Sequence, residues 1–158
     1  MNRILSFDVS SVCTGWAFLF DGKLKEFGTI EPPKSYSLQE KLYWFRSATN
    51  VLLKTYFPDY VVIEDTYLGN VKTLKVLMQF IGVLNLECFF ELGQEPVFIS
   101  PQTVRSNFEL KKKEDVFEYV KNKYKVKLKK YNFETGNDIT DAILQALYWN
   151  EVLTEEGE

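Results

Sequence analysis

The sequence contains no histidine among its 158 residues. This absence removes both the commonest general base and the commonest transition-metal ligand of proteins. Any acid–base or metal chemistry must therefore rely on carboxylates, lysines and water. Oxygen-only ligand sets favour hard cations such as magnesium or manganese.

Cysteines and uninterrupted apolar runs are also scarce. Two cysteines, Cys13 and Cys88, indicate reduced thiols in a cytoplasm, and we interpret them as small buried side chains without a chemical role. Asp8 interrupts the short apolar start, which argues against a signal peptide. The longest apolar segment, residues 76–92, is broken by four polar or charged residues, so the sequence predicts no membrane contact.

The length of the chain predicts one domain, residues 1–153, followed by a flexible acidic tail, residues 154–158. The sequence has no low-complexity tract, repeat or internal linker. Its net charge of −3 argues only weakly against a polyanionic partner, because the charges are unevenly distributed.

Positive charge is concentrated in residues 111–130, a segment that contains nine lysines and only three acidic residues. One interpretation is a solvated helix face with charge pairs four residues apart. The other is a phosphate-binding surface beside an acidic centre.

Hydrophobic alternation and turn signals predict the order β-β-β-α-β-α-β-α-α-α, a mixed sheet with helices on its faces. Asp21-Gly22 is typical of a hairpin turn. We expect a long helix over residues 70–92, a lysine-rich helix over 113–124, and a last helix over 138–153 that begins after a turn at Gly136-Asn137.

Four acidic residues stand at the ends of these elements. Asp138 and Asp141 share one face at the start of the last helix, where they could equally be capping residues. Asp8 and Glu64 each end an apolar strand. Neighbouring strands lie about 4.8 Å apart, so the four carboxylates would converge if the first and fourth strands are adjacent. Divalent cations would relieve their repulsion, and two such ions can promote phosphodiester hydrolysis.

Four segments in this order resemble the RuvC family of Holliday junction resolvases: residues 7–16, 62–67, 101–105 and 138–142. The resemblance covers nearly the whole domain. It implies a ribonuclease H-like α/β fold with a mixed five-stranded sheet flanked by helices. It also implies a homodimer that resolves four-way junctions and related branched DNA by paired symmetric nicks. The implied cofactor is Mg²⁺ or Mn²⁺, two ions per subunit.

The same resemblance assigns the site residues. The implied catalytic and metal-binding residues are Asp8, Glu64, Asp138 and Asp141, with Lys113 as an electrostatic helper. The implied DNA-binding residues are Tyr67, Arg105, Lys111, Lys112, Lys113 and Lys121. Tyr67 takes the place of an aromatic residue that stacks on bases, although it could simply pack at the head of the long helix. We expect that long helix to supply much of the dimer contact.

Two positions depart from the bacterial pattern. Ile143 stands where bacterial members have a histidine, and Ser106-Asn107-Phe108 replaces a turn that contains glycine. The chain looks most like the shorter, phage-type members, which would process branched DNA more broadly. Its location would then be the cytoplasm of a bacterial host.

Two alternatives remain open from the sequence. One is a different ribonuclease H-like nuclease, which would cut RNA–DNA hybrids or act like an integrase. The other is a sugar-kinase or actin-like nucleotide-binding domain, because residues 7–15 are similar to the phosphate loop of those proteins. Those ATPases need two such domains to close over a nucleotide, whereas this chain has one.

Overall fold

The computed structural model describes residues 1–66 and 69–157. Its elements follow the predicted order: β1 (Arg3–Asp8), β2 (Thr14–Phe20), β3 (Lys23–Ile30), α1 (Leu38–Tyr56), β4 (Tyr60–Glu64), α2 (Val71–Leu92), β5 (Val97–Ile99), α3 (Pro101–Asn107), α4 (Lys113–Lys123) and α5 (Phe133–Glu156).

The strands form one mixed sheet in the order β3-β2-β1-β4-β5. The first three strands are antiparallel. The hairpin turn between β2 and β3 lies at Asp21-Gly22, where both residues have the positive φ that a tight hairpin requires. β4 then pairs in parallel with β1 and with β5. The predicted five-stranded mixed sheet flanked by helices is confirmed, and so is the adjacency of β1 and β4 on which the convergence of the acids depends.

Two apolar clusters cover the two faces of the sheet. On one face, Ile4 and Val62 belong to a cluster with residues of α5 and α4. On the other, Phe7 and Ile63 belong to a cluster with residues of α1 and α2. Because side chains alternate along a strand, Ser6 and Asp8 point toward α5, as Ile4 does. The end of β1 therefore presents a carboxylate to the last helix.

The last helix begins earlier than the sequence predicted. Asn132 caps α5, and its side chain accepts a hydrogen bond from the amide of Thr135. The predicted turn at Gly136-Asn137 is therefore wrong, since both residues lie inside the helix. A Cβ on Gly136 would lie only 2.9 Å from Cβ of Tyr131, so close packing explains this glycine. The helix also continues to Glu156, into the segment expected to be a tail.

Helix α2 follows the predicted bounds, with Asn70 as its N-cap and Gly93 as a left-handed C-cap. Of the helices in the described part of the chain, it alone is long and apolar enough to cross a membrane by length and composition. It nevertheless carries Glu87, which is 3% exposed and forms an ion pair of 2.8 Å with Arg46 of α1. This pair joins α2 to α1, and the opposite face of α2 is left exposed.

Candidate active site

Two of the predicted site residues stand side by side at the ends of parallel strands. The register pairs Phe7 with Ile63, so Asp8 and Glu64 follow as the next residues of β1 and β4. Both side chains line the same small cavity of about 20 Å³. Asp8 is buried, with 7% of its surface exposed, whereas Glu64 is partly exposed. The pairing of these strands therefore brings together two acids separated by more than fifty positions in the chain.

Helix α5 contributes the other two acids. Asp138 and Asp141 lie one turn apart in the second and third turns of the helix. The backbone at Asp138 rests directly on Gly15, which is the β2 partner of Asp8. A Cβ at Gly15 would overlap the carbonyl of Asp138 and lie 2.8 Å from the amide nitrogen of Ile139. The absence of a side chain at Gly15 is therefore what lets the acids of α5 approach the strand ends.

Lys113, the first residue of α4, points its ammonium group into the acidic cluster. Its Nζ lies 3.0 Å from Oδ2 of Asp141, 3.6 Å from Oδ1 of Asp138 and 3.8 Å from Oδ2 of Asp8. Three of the four predicted acids thus share one counter-ion. The resemblance implied that Lys113 binds DNA and assists catalysis electrostatically, and its ammonium group lies among the carboxylates.

The electrostatics of the cluster follow from burial and crowding. Burial raises the pKa of Asp8 well above its ordinary value, and the negative charges of Glu64 and Asp141 raise it further. Burial also raises the pKa of Asp141, to about 6, against the opposing effect of Lys113. Burial alone would lower the pKa of Lys113, but Asp141, Asp8 and Asp138 raise it above its usual range. At Asp8 and Asp141 the charged form of the carboxyl group is therefore disfavoured, even with the ammonium group of Lys113 nearby.

The donor chemistry of this cluster fits a hard divalent cation. Oδ2 of Asp8 is buried and has no hydrogen-bond partner among the described residues, as an oxygen reserved for a cation would be. The surrounding donors are all carboxylate oxygens, the ligand type that magnesium and manganese prefer. Within residues 1–66 and 69–157, however, no three acidic or cysteine side chains already stand close enough together to hold a metal ion. The acids instead surround Lys113.

A buried glutamine that the sequence reasoning missed ties together the elements that carry the acids. Nε2 of Gln145 donates to Oγ of Ser6 at 2.8 Å and also contacts the carbonyl oxygens of Phe7 at 3.1 Å and Val62 at 3.2 Å. Gln145 lies one helical turn beyond Asp141 and fixes α5 against β1 and β4 at once. Its signal in the sequence is a long polar side chain within the apolar face of α5.

The predicted DNA-binding residues occupy different settings. Arg105 of α3 lines the cavity together with Asp8, Glu64 and Asp141. Lys111 and Lys112 are exposed just before α4. Tyr67 lies outside the described residues.

Lys121 and its neighbours differ in how free their amino groups are. Nζ of Lys121 donates to the carbonyl oxygen of Tyr131 at 2.6 Å, so this amino group already binds the loop that follows α4. Five further lysines around that loop are exposed: Lys123, Lys125, Lys127, Lys129 and Lys130. We call these five residues the lysine patch. The exposed positions of these lysines are compatible with both interpretations of residues 111–130, the solvated helix face and the phosphate-binding surface.

The two cysteines have distinct environments. Cys88 is fully buried in the cluster between the sheet and helices α1 and α2, as expected. The same expectation is wrong for Cys13, which is partly exposed and lies beside Glu31 and Asp138, where burial and these two acids raise the pKa of its thiol. Both thiols are therefore protonated at neutral pH.

Comparison with known proteins points in one direction. No protein-family model matches the chain. Two curated relatives are crossover junction endodeoxyribonucleases RuvC. The protein from Synechocystis sp. is 32% identical over 105 residues, which are 62% of each chain. The protein from Dictyoglomus thermophilum is 31% identical over 88 residues, which are 52% of this chain and 56% of the relative. The chain thus matches less than two thirds of the length of either relative.

Solved structures share the fold over nearly the full length. RuvC of Thermus thermophilus in complex with a Holliday junction substrate has a TM-score of 0.80 at 14% identity, over 99% of this chain and 96% of that one. The yeast mitochondrial Holliday junction resolvase Ydc2 has a TM-score of 0.66 at 15% identity, over 98% and 81% of the two chains. At this identity the likeness establishes the fold.

Proposed function

Because the chain belongs to the RuvC family, we propose that it is a metal-dependent endonuclease of the shorter, phage type, which resolves Holliday junctions and related branched DNA by paired symmetric nicks. One observation carries this proposal: Asp8, Glu64, Asp138 and Asp141 come from three separate elements and gather around one end of the sheet. Such a cluster costs stability, since it places like charges together, and therefore calls for a functional explanation.

The four carboxylates would hold divalent cations, two per subunit in this proposal. When bound, magnesium or manganese supplies charge neutralisation at the phosphodiester and lowers the pKa of a water molecule. The chain itself contributes position: β1 and β4 fix Asp8 and Glu64, and α5 fixes the other two acids. Arg105 lines the cavity, and in this proposal its guanidinium group would bind the scissile phosphate. Ile143 is fully buried in the core and has no atom that could bind a metal ion or a proton.

DNA would bind on the side of the protein where α4 begins. Lys111 and Lys112 are exposed just before α4, and the lysine patch lies at the opposite end of that helix. Lysines bind phosphates through a salt-dependent interaction that does not read sequence. This suits a protein that recognises a branched shape and cleaves several kinds of junction. We expect the protein in the cytoplasm, where such DNA is found in a bacterial host.

We further propose that the protein is a homodimer joined through the exposed face of α2. This face carries five large apolar side chains: Val71, Met78, Leu86, Phe89 and Phe90. Gly82 lies on the same side, and a Cβ there would meet nothing within 4 Å. A glycine within a helix costs about 1 kcal/mol relative to alanine. Nothing in the described chain requires this glycine, whereas close approach of a second helix would use it.

Introducing charge on this face is expected to dissociate the dimer. In the variant Leu86→Glu/Phe89→Glu, two carboxylates would be buried at the contact, so sedimentation velocity at micromolar concentration should show a monomer where the unmodified chain shows a dimer. Val51→Glu is the matched control, because Val51 is an exposed apolar residue on α1. This control should remain dimeric. A strict monomer for the unmodified protein would contradict the proposed contact.

The proposed activity is tested with a synthetic four-way junction in magnesium buffer, with nicks mapped on all four strands. We expect cuts at symmetrically related positions on two strands of like polarity, because a two-fold dimer presents two equivalent sites. Linear duplex, flap and RNA–DNA hybrid substrates belong in the same panel. Faster cleavage of the hybrid than of the junction would favour the alternative ribonuclease H-like nuclease and overturn the assignment.

A further inference from the structure

The position of Lys113 has a consequence for cation binding that the proposed function does not include. Its ammonium group contacts Asp141 at 3.0 Å and lies within 3.8 Å of both Asp138 and Asp8. A cation that neutralises these carboxylates would occupy the same region. Lys113 and an incoming ion would therefore compete for the same carboxylate oxygens.

The lysine satisfies this set only in part. Lys113 lies within 3.8 Å of Asp8, Asp138 and Asp141 but forms no ion pair with Glu64, and Arg105 lines the cavity beside Asp8, Glu64 and Asp141. Oδ2 of Asp8 has no hydrogen-bond partner among the described residues, and its distance of 3.8 Å from Nζ exceeds that of a hydrogen bond. The buried Oδ2 of Asp8 therefore has no positive group in direct contact with it. A small divalent ion carries twice the charge and can approach a carboxylate to about 2.0–2.6 Å.

Lys113 is also able to leave. It is the first residue of α4, and 37% of its side chain is exposed. A lysine side chain has a flexible four-carbon stem and a strongly hydrated head, so moving it into solvent needs no rearrangement of the helix. The acids, by contrast, are fixed by strands and by α5. Release of Lys113 from the carboxylates therefore needs only a change in the rotamer of its own side chain.

We propose that Lys113 is the resident counter-ion of the site, which holds the carboxylates together before a divalent cation arrives and is displaced from them when that cation binds. This inference rests on the proposed metal-dependent function. It also accounts for the spacing of the acids, which surround an ammonium group rather than forming a ready coordination shell. Lys113 thereby sets the affinity of the site for metal as well as its stability without metal.

The test is metal binding without DNA, measured by titration calorimetry with Mn²⁺ and by thermal unfolding in EDTA and in Mg²⁺. Lys113→Met removes the competing charge and keeps most of the apolar stem. We expect it to bind Mn²⁺ at least about tenfold more tightly than the unmodified chain, because the ion no longer displaces an ammonium group. We also expect a lower melting temperature in EDTA and a larger rise on adding Mg²⁺, since binding stabilises the folded state.

Lys111→Met is the matched control, since it removes one nearby exposed charge that has no place among the acids. Its Mn²⁺ affinity should change much less. Lys113→Arg keeps the charge and should keep the affinity at or below that of the unmodified chain. If Lys113→Met unfolds in EDTA, refolding on addition of Mg²⁺ supports the proposal, and failure to refold contradicts it.

These measurements distinguish the absence of a metal site from the absence of the proposed role for Lys113. If the unmodified chain binds no divalent ion, the metal site itself fails and the proposed function fails with it. If the unmodified chain binds Mn²⁺ and Lys113→Met binds it equally or less tightly, only the role of Lys113 is overturned.

Discussion

Replacing Asp138 by asparagine, or Glu64 by glutamine, is expected to abolish nicking of four-way junctions while leaving junction binding intact in metal-free buffer. Each substitution removes a charged oxygen from the cluster without changing its size. Loss of about 3 kcal/mol of transition-state stabilisation lowers a rate roughly 100-fold, so the decrease should be at least of that order. Binding persists because it depends on lysines outside the cluster.

The matched control for this pair is Glu114→Gln. Glu114 is exposed on α4 beside Lys113, and it lies outside the four converging acids. Gel shifts in EDTA and nicking assays in magnesium should give near-normal values for this variant. A normal nicking rate for either Asp138→Asn or Glu64→Gln would show that the catalytic assignment is wrong.

Replacing Gly15 by alanine is expected to destabilise the fold strongly. In Gly15→Ala the new Cβ would collide with the backbone of Asp138 and Ile139, where no flexible side chain can yield. Overpacking of this kind costs about 3 kcal/mol. For a chain of this size the melting temperature should fall by roughly 2–4 °C for each kcal/mol. Any Gly15→Ala protein that does fold should also lose nicking activity, since α5 can no longer approach Asp8.

Gly157→Ala is the control for Gly15→Ala. A Cβ there would sit 3.5 Å from the carbonyl oxygen of Leu153, an ordinary contact, and the backbone has a helical φ of −80°. Thermal unfolding should show little change. An unchanged melting temperature for Gly15→Ala would mean that α5 is not held against β2 as the structure shows.

The position of Asp8 and of Glu64 at the end of its own strand could be predicted from the sequence, because it depends on short-range rules, whereas the adjacency of the two strands was an assumption. Alternation along β1 placed Ser6 and Asp8 on one side, and an apolar run at residues 60–64 indicated a central buried strand. Parallel pairing of β1 with β4 then fixes the distance between the acids. The hairpin turn at Asp21-Gly22 was confirmed for the same reason, since its information lies within two residues.

The features that could not be predicted depend on contacts between distant elements. Gly136 has the local signature of a turn, but its neighbours in the fold, Tyr131 and Phe117, determine that it is a packing glycine inside α5. Gln145 carries no local sign of the three acceptors that it meets on β1 and β4. Lys113 belongs to a run of three lysines, and only the position of α4 distinguishes it from the other two.

The order of the elements along the chain also governs when the site comes into existence. Asp8 and Glu64 leave the ribosome early, whereas α5 supplies Asp138 and Asp141 after every other described element has been synthesised. A nascent chain still lacking α5 has half of the acidic cluster and an uncovered face of the sheet. The four acids therefore come together only once α5 has packed against β1 and β4.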